Sequence, residues 1–297
     1  MLAALVGAAS LVAGSWQAGP QLPVPRSEVA GTAVGREIVI VGGYLADGRS
    51  SKRVDAYSPS RRRWRRLPDL PVAVNHSMAA SYRGRPYVLG GYAASGALRT
   101  AFVLSGRRWR RLPPMPGPRA AGGAVVVGSR LYVVGGVRRA GDLARGAFAF
   151  DLRRSRWAGV AGPTPREHLA VTALGGLVYA IAGRTAGIDT NLQVVEAFRP
   201  GAPAWQTLPP VPEARGGTAA TAAGGRLISV GGEAPSGTIA SVYDYDPGSR
   251  QWTKLPDLPT PRHGLAAVAL GRRVYVIAGG KQPGLFVSGT NEALDVG

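Results

Sequence analysis

Six tryptophans divide the chain almost evenly. They stand at Trp16, Trp64, Trp109, Trp157, Trp205 and Trp252, separated by 48, 45, 48, 48 and 47 residues. A period of this length marks an array of supersecondary units, each too small to bury its own apolar face and therefore obliged to stack on its neighbours. Other positions keep the same register. A dipeptide ending in arginine recurs at Pro25-Arg26, Pro118-Arg119, Pro165-Arg166, Ala214-Arg215 and Pro261-Arg262, with Val74 at the arginine's place in the second unit. Sixteen residues beyond that place lies a small pair: Gly42-Gly43, Gly90-Gly91, Gly135-Gly136, Ala182-Gly183, Gly231-Gly232 and Ala278-Gly279. Seven residues before a tryptophan stands an aromatic, at Tyr57, Phe102, Phe150, Phe198 and Tyr245.

Each unit reads as four short strands, as in "SMAASY", "PYVLGG", "TAFVLS" and "RWRRLP" between residues 77 and 113. The first two are rich in Ala and Val with little polar alternation, as strands buried on both faces should be. With 43 Gly and 24 Pro the chain favours turns over long helices, so an all-β protein is expected. Four strands in a repeat of this length match one blade of a β-propeller, and six repeats make six antiparallel blades. Here the residues resemble the kelch family, whose repeat carries the diglycine at the end of the second strand, an aromatic on the third and a tryptophan on the fourth. The resemblance covers nearly the whole chain. It implies a six-bladed kelch-type propeller over residues 16–297, expected to be monomeric and of bacterial origin.

The diglycine has a physical reason, since a Cβ would collide where blades converge and glycine accepts the positive φ of a tight exit. Closure is also readable. The last unit ends after "NEALDV" without a tryptophan, and "GSWQAGPQLP" at residues 14 to 23 is expected to supply the missing fourth strand. Before it, "MLAALVGAASLVAGS" resembles the apolar region and cleavage zone of a secretory leader without its basic start. It is too short to span a bilayer, for which about 20 apolar residues are needed. Residues 1–15 are therefore set apart from the propeller, and an extracytoplasmic location, secreted or periplasmic, is expected.

Charge is unevenly placed. Residues 1 to 160 hold 25 Lys and Arg against 7 Asp and Glu, whereas residues 161 to 297 hold 11 against 10. Such a basic field attracts polyanions, so polyanion binding through the first half is one reading to carry forward. The densest run, "SRRRWRRLPDLP" at residues 60 to 71, nevertheless surrounds a repeat tryptophan, and its arginines are expected on an exposed edge strand where charge discourages sheet-to-sheet association. Nucleic acid is not the favoured partner. With no cysteine there is no disulfide framework, thiol nucleophile or cysteine-ligated metal.

Ligands of a propeller meet the mouth of its central channel, and in kelch proteins the blade-joining loops and the loops between second and third strands form that mouth. Arg26, Arg119, Arg166, Arg215 and Arg262 are expected to ring the opening, where guanidinium groups suit a carboxylate, sulfate or phosphate. The next two residues differ between blades: Ser27-Glu28, Asn75-His76, Ala120-Ala121, Glu167-His168, Gly216-Gly217 and His263-Gly264. All three histidines of the chain fall in this set. Zinc is not expected, because the histidines come from blades 2, 4 and 6 on different sides of the channel, whereas ligands must lie near 2 Å from one metal. Adjacent residues on a strand face opposite sides, so only one of Glu167 and His168 should look into the channel. The second-to-third strand loops add Asp47, Arg49, Arg99, Arg138, Arg139, Arg184, Asp189, Asn191, Glu233 and Lys281 to the rim.

Among similar enzymes, kelch-like copper oxidases need a cysteine cross-link that this chain cannot make. Iron-binding specifier proteins carry Glu-x-x-x-Asp-x-x-x-His, which is absent. Sialic acid mutarotases are similar in being six-bladed kelch propellers. The expected function is a noncatalytic binding module without cofactor, holding an anionic sugar, glycan or acidic protein segment at the arginines together with Glu28, Asn75, His76, Glu167, His168 and His263. A cofactor-free carbohydrate mutarotase is the alternative.

Overall fold

The computed structural model describes residues 14–297, so the apolar leader-like segment lies outside the described residues except for Gly14 and Ser15. Six four-stranded antiparallel sheets follow one another around a central channel. Blade 1 comprises Ala30–Val34, Glu37–Val41, Val54–Ser58 and Arg63–Arg66. Blade 2 comprises Met78–Tyr82, Arg85–Leu89, Ala101–Ser105 and Arg108–Arg111. Blades 3, 4 and 5 repeat the pattern from Gly123–Val127, Ala170–Leu174 and Ala219–Ala223. Blade 6 takes Ala266–Leu270, Arg273–Ile277 and Asn291–Asp295 from the end of the chain and Gln17–Ala18 from its beginning.

Position within the blade sets composition. First strands such as AATAA converge on the channel and must be small, whereas second strands such as EIVIV and RLYVV are buried almost throughout and are β-branched and aromatic. Fourth strands are largely exposed, which places the RWRR sequences of blades 1 and 2 at the outer edge. The small pairs sit where blades meet. A Cβ on Gly90 would lie 2.1 Å from the carbonyl of Arg119 in the next blade, and Gly91 takes φ +91°. Ala182 and Ala278 adopt φ of +55° and +64°, so the first place tolerates a methyl group at the cost of some strain.

The tryptophans do more than fill wedges. Every indole Nε1 donates to the carbonyl four residues beyond the preceding tryptophan: Trp64 to Pro20, Trp109 to Pro68, Trp157 to Pro113, Trp205 to Ala161, Trp252 to Pro209 and Trp16 to Pro256, all at 2.8–3.0 Å. The last of these closes the ring. Contact with the third-strand aromatic holds in four blades, with ring centroids 4.8–5.2 Å apart, stacked for Phe198 and Trp205 and tilted in the others. In blade 2 the turn between third and fourth strands is tighter, so Leu104 faces Trp109 and Phe102 pairs with Arg111 instead. Trp205→Ala removes one inter-blade bond and the stack on Phe198. We expect about 3–5 kcal/mol of destabilisation in chemical denaturation; an unchanged midpoint would contradict the wedge role.

The N-terminal strand completes blade 6 as expected, pairing Gln17 with Ala293 and Ala18 with Glu292. Turns joining first to second and third to fourth strands emerge at the end of the channel away from the blade-joining loops. There the channel is widest, about 310 Å³, lined by Gly31–Ala33, Ala79–Ser81 and their counterparts in the other blades. Around it blades 1 to 3 expose Arg36, Arg61, Arg62, Arg63, Arg83, Arg85, Arg107, Arg108, Arg130, Arg153, Arg154 and Arg156. Twelve of the 25 basic residues among the first 160 thus share one face. Among the described residues no helix is long and apolar enough to cross a membrane.

Candidate functional site

At the opposite end the backbone builds a collar. Each blade contributes the second residue after the arginine position, and these six, Glu28, His76, Ala121, His168, Gly217 and Gly264, all have φ between +49° and +60°. Their peptide groups bond from blade to blade. His76 N donates to Glu28 O, Ala121 N to His76 O, His168 N to Ala121 O, Gly217 N to His168 O and Gly264 N to Gly217 O, at 2.8–3.0 Å; Val29 N completes the circle to Gly264 O at 3.3 Å. The ring is narrow enough for side chains from non-adjacent blades to meet. Beneath it the channel shrinks to about 70 Å³.

The collar corrects two expectations. His76 and His168 come from blades 2 and 4, yet their Nε2 atoms are 2.9 Å apart. Glu28 reaches both remaining partners, with Oε2 3.2 Å from His76 Nε2 and Oε1 3.2 Å from His263 Nδ1. Glu167 and His168 also lie on one side, with Oε1 3.3 Å from Nδ1, because the positive φ of His168 breaks the alternation of a strand. Two rim residues complete a cycle. Arg184 stands 3.6 Å from Glu167 and 2.7 Å from Glu233, and Glu233 Oε2 is 3.5 Å from His263. Seven side chains therefore form a closed loop over the channel. Its three carboxylates against one guanidinium make the floor of the mouth net acidic.

Asn75 orients the loop from outside. Its Oδ1 lies 2.6 Å from His76 Nδ1 and its Nδ2 bonds Ser50, while Tyr44 and Tyr92 set their rings against the His76 imidazole edge-on at 5.7 Å. Burial pushes His76 down to about 4. Burial also works against charging His263, but the Glu28 hydrogen bond and the Glu28 and Glu233 charges outweigh it and raise this imidazole above its ordinary value. Burial opposes ionisation of Glu28, yet the surrounding histidines, His76 first, hold its carboxyl well below the usual carboxylate range. In chelator-treated protein, NMR titration should find His76 protonating near pH 4 and His263 above 6.5; coincident titration near 6.5 would contradict this environment. Since folded His76 refuses a proton that the unfolded chain accepts below about 6.5, its share of stability, up to roughly 3 kcal/mol, is present at neutral pH and lost toward pH 4.

The predicted arginine ring lies elsewhere. Arg26, Arg119, Arg166, Arg215 and Arg262 are all buried and turned back into their own blades. Arg166 donates to the carbonyls of Thr164, Ala180 and Ala182 at 2.7–3.0 Å and to Glu196 at 2.5 Å. Arg262 repeats this with Thr260, Val276, Ala278 and Glu292, and Arg26 uses Gly42, Arg53 and Asp55. Arg119 packs over the Phe148 ring and bonds Gly146 O, while Arg215 packs over Tyr243 and bonds Ser241 and Glu213. Four of these guanidinium groups staple the ends of second and third strands together and that of Arg119 braces the third strand, which removes the expected grip on an anion. The signal that could have located their partners is an acidic or aromatic residue nine before the next tryptophan: Asp55, Phe148, Glu196 and Tyr243.

The rim carries one apolar feature. Leu285 and Phe286, in the loop between the second and third strands of blade 6, are 63% and 47% exposed and are the exposed large hydrophobics among the described residues. This loop borders the collar, since Gln282 O accepts from His263 Nε2 at 3.0 Å.

The family model described as the KLHDC2/KLHL20/DRC7 Kelch-repeats domain matches residues 101–280, and one described as the Kelch motif matches residues 25–71. Kelch-like protein terF of Aspergillus terreus is 29% identical, over 77% of this chain and 56% of its own length. Kelch repeat protein M-T8 of Myxoma virus is 38% identical over 79 residues, 27% of this chain and 15% of its own length. The chain thus spans about half or less of the curated relatives it matches. The solved structure of YjhT superposes with a TM-score of 0.79 at 16% identity, covering 92% of this chain and 95% of that one, a likeness of fold.

Proposed function

This chain belongs to the kelch-repeat family, and from that premise we propose that it is a noncatalytic binding module that holds a segment of a partner protein at the collar mouth. One observation carries the reading: Leu285 and Phe286 stand exposed at the border of a polar, net acidic well on an otherwise well-packed scaffold. An exposed apolar pair beside polar groups fits a partner's apolar side chain, and the acidic floor favours hydrogen-bond donors or cationic groups over anions. Burying a Leu or Phe contributes about 1.5–3 kcal/mol. The test is a peptide library selected on the protein and read back on a Leu285→Asp, Phe286→Asp double variant. Peptides sharing a bulky apolar residue and losing more than tenfold in affinity on the variant are expected; undiminished binding would place recognition elsewhere.

A second reading is favoured by the arginine-rich face. Polyanion binding there would use Arg61, Arg62, Arg83 and their neighbours around the wide end of the channel, away from the collar. Retention on heparin should fall steeply with salt and drop further in an Arg61→Glu, Arg62→Glu, Arg83→Glu variant. Retention insensitive to these changes would remove it.

A further inference from the structure

We propose that Glu28, His76 and His168 bind a divalent transition metal, with zinc the best match to the donor set, at the centre of the collar. One ligand atom from each lies within 4.8 Å of the others. The two Nε2 atoms are 2.9 Å apart and Glu28 Oε2 is 3.2 Å from that of His76. Ligands about 2.0–2.1 Å from a tetrahedral zinc are separated by roughly 3.3 Å, so the spacing needs adjustment by only a few tenths of an ångström at these two edges. Two imidazoles and one carboxylate form a known class of open zinc site, with the fourth position left to water or to an incoming group.

The surroundings orient these atoms as a metal site requires. His76 Nδ1 faces Asn75 Oδ1 at 2.6 Å and His168 Nδ1 faces Glu167 Oε1 at 3.3 Å. The hydrogen bond to Asn75 puts the His76 proton on Nδ1 and leaves a lone pair on Nε2, while the carboxylate beside His168 Nδ1 favours the same tautomer there. The second oxygen of Glu28 is held by His263 Nδ1 at 3.2 Å. Two ring nitrogens and a carboxylate oxygen thus converge on one point, and with both imidazole protons on Nδ1 their lone pairs face one another, an arrangement that a cation stabilises. The backbone is preorganised, because all three residues belong to the hydrogen-bonded collar. Ala121, Gly217 and Gly264 occupy the other collar places, so no bulky collar side chain competes for the centre. The cavity of about 70 Å³ against the three ligands leaves room for water to complete the coordination. The site shares the floor of the mouth with the partner-binding reading, but its test reads the floor alone whereas the peptide test reads Leu285 and Phe286, so each can fail without the other.

The test begins with chelator-treated wild-type protein titrated with Co²⁺ and then Zn²⁺. One equivalent of Co²⁺ should give visible absorption bands of low-coordinate cobalt, bleached by one equivalent of Zn²⁺, and X-ray absorption of the zinc form should show two imidazoles. Absence of stoichiometric binding, or a spectrum without imidazole scattering, would overturn the proposal without recourse to any variant. His76→Gln and His168→Gln, checked for native circular dichroism, should each lower Zn²⁺ affinity at least 100-fold. Folded variants that retain wild-type affinity would also overturn it.

Discussion

Excising residues 14 to 20 is expected to lower the melting temperature by about 10 °C or more and to split or broaden the unfolding transition. The reason is topological. These residues supply the outer strand of blade 6, the Trp16 bond to Pro256, and the Pro20 carbonyl that accepts from both Trp64 and Asn291. Removing them interrupts the ring of indole bonds at two consecutive joints and uncovers the edge of Asn291–Asp295, beside the buried Ala293 and Leu294. The aromatic loss alone is worth about 3–5 kcal/mol, and each lost hydrogen bond adds about 1 kcal/mol. At about 2–4 °C per kcal/mol for a large domain, this gives the stated shift. Calorimetry showing an unchanged single transition would mean that the circle closes by other contacts.

Arg166→Met should be nearly as damaging, at about 3–5 kcal/mol, because it leaves the buried Glu196 carboxylate without its cationic partner, only Thr164 still donating to it, and removes the donor to the carbonyls of Thr164, Ala180 and Ala182. Burial lowers the Arg166 guanidinium against the opposing pull of Glu196, so the pair is held together at a desolvation cost. The sign of the effect is diagnostic. An arginine kept for ligand binding would raise or leave unchanged the stability of the free protein when replaced, whereas a strand staple must lower it. Chemical denaturation of the variant, with Arg138→Ala on the exposed rim as comparison, separates the two roles.

The architecture was legible because its constraints repeat. A tryptophan that must reach the same carbonyl of the preceding blade, and a small pair that must clear the next blade's backbone, recur wherever the packing recurs. Even the clasp follows from the register, since only Trp16 lacks a preceding unit. What failed was local. Strand alternation separated Glu167 from His168, but the collar's positive φ is a tertiary requirement of six blades meeting and leaves no periodicity in the sequence. Blades 2 and 4 are not neighbours, yet the imidazoles of His76 and His168 reach each other across the collar, with Nε2 atoms 2.9 Å apart. The arginines recur for a structural reason, the stapling of strand ends, and recurrence alone does not distinguish a staple from a grip. Sequence places Arg184 and Glu233 no more closely than the rim, although each directly follows a small pair and bridges the blade-specific position after the arginine, as Glu167 to Arg184 and Gly216 to Glu233.

The proposed function rests on the same contrast. Scaffold positions repeat, whereas the residues after the arginine change from blade to blade and assemble into one asymmetric cluster over the channel. The most direct test of that claim is hydrogen–deuterium exchange of the protein with and without a peptide selected on it. Slowed exchange is predicted in the loops between second and third strands, residues 44–51, 92–98 and 280–288 above all, with the turns on the arginine-rich face unchanged. Protection confined to those turns, at residues 35–36, 59–63 and 83–84, would contradict a functional mouth at the collar.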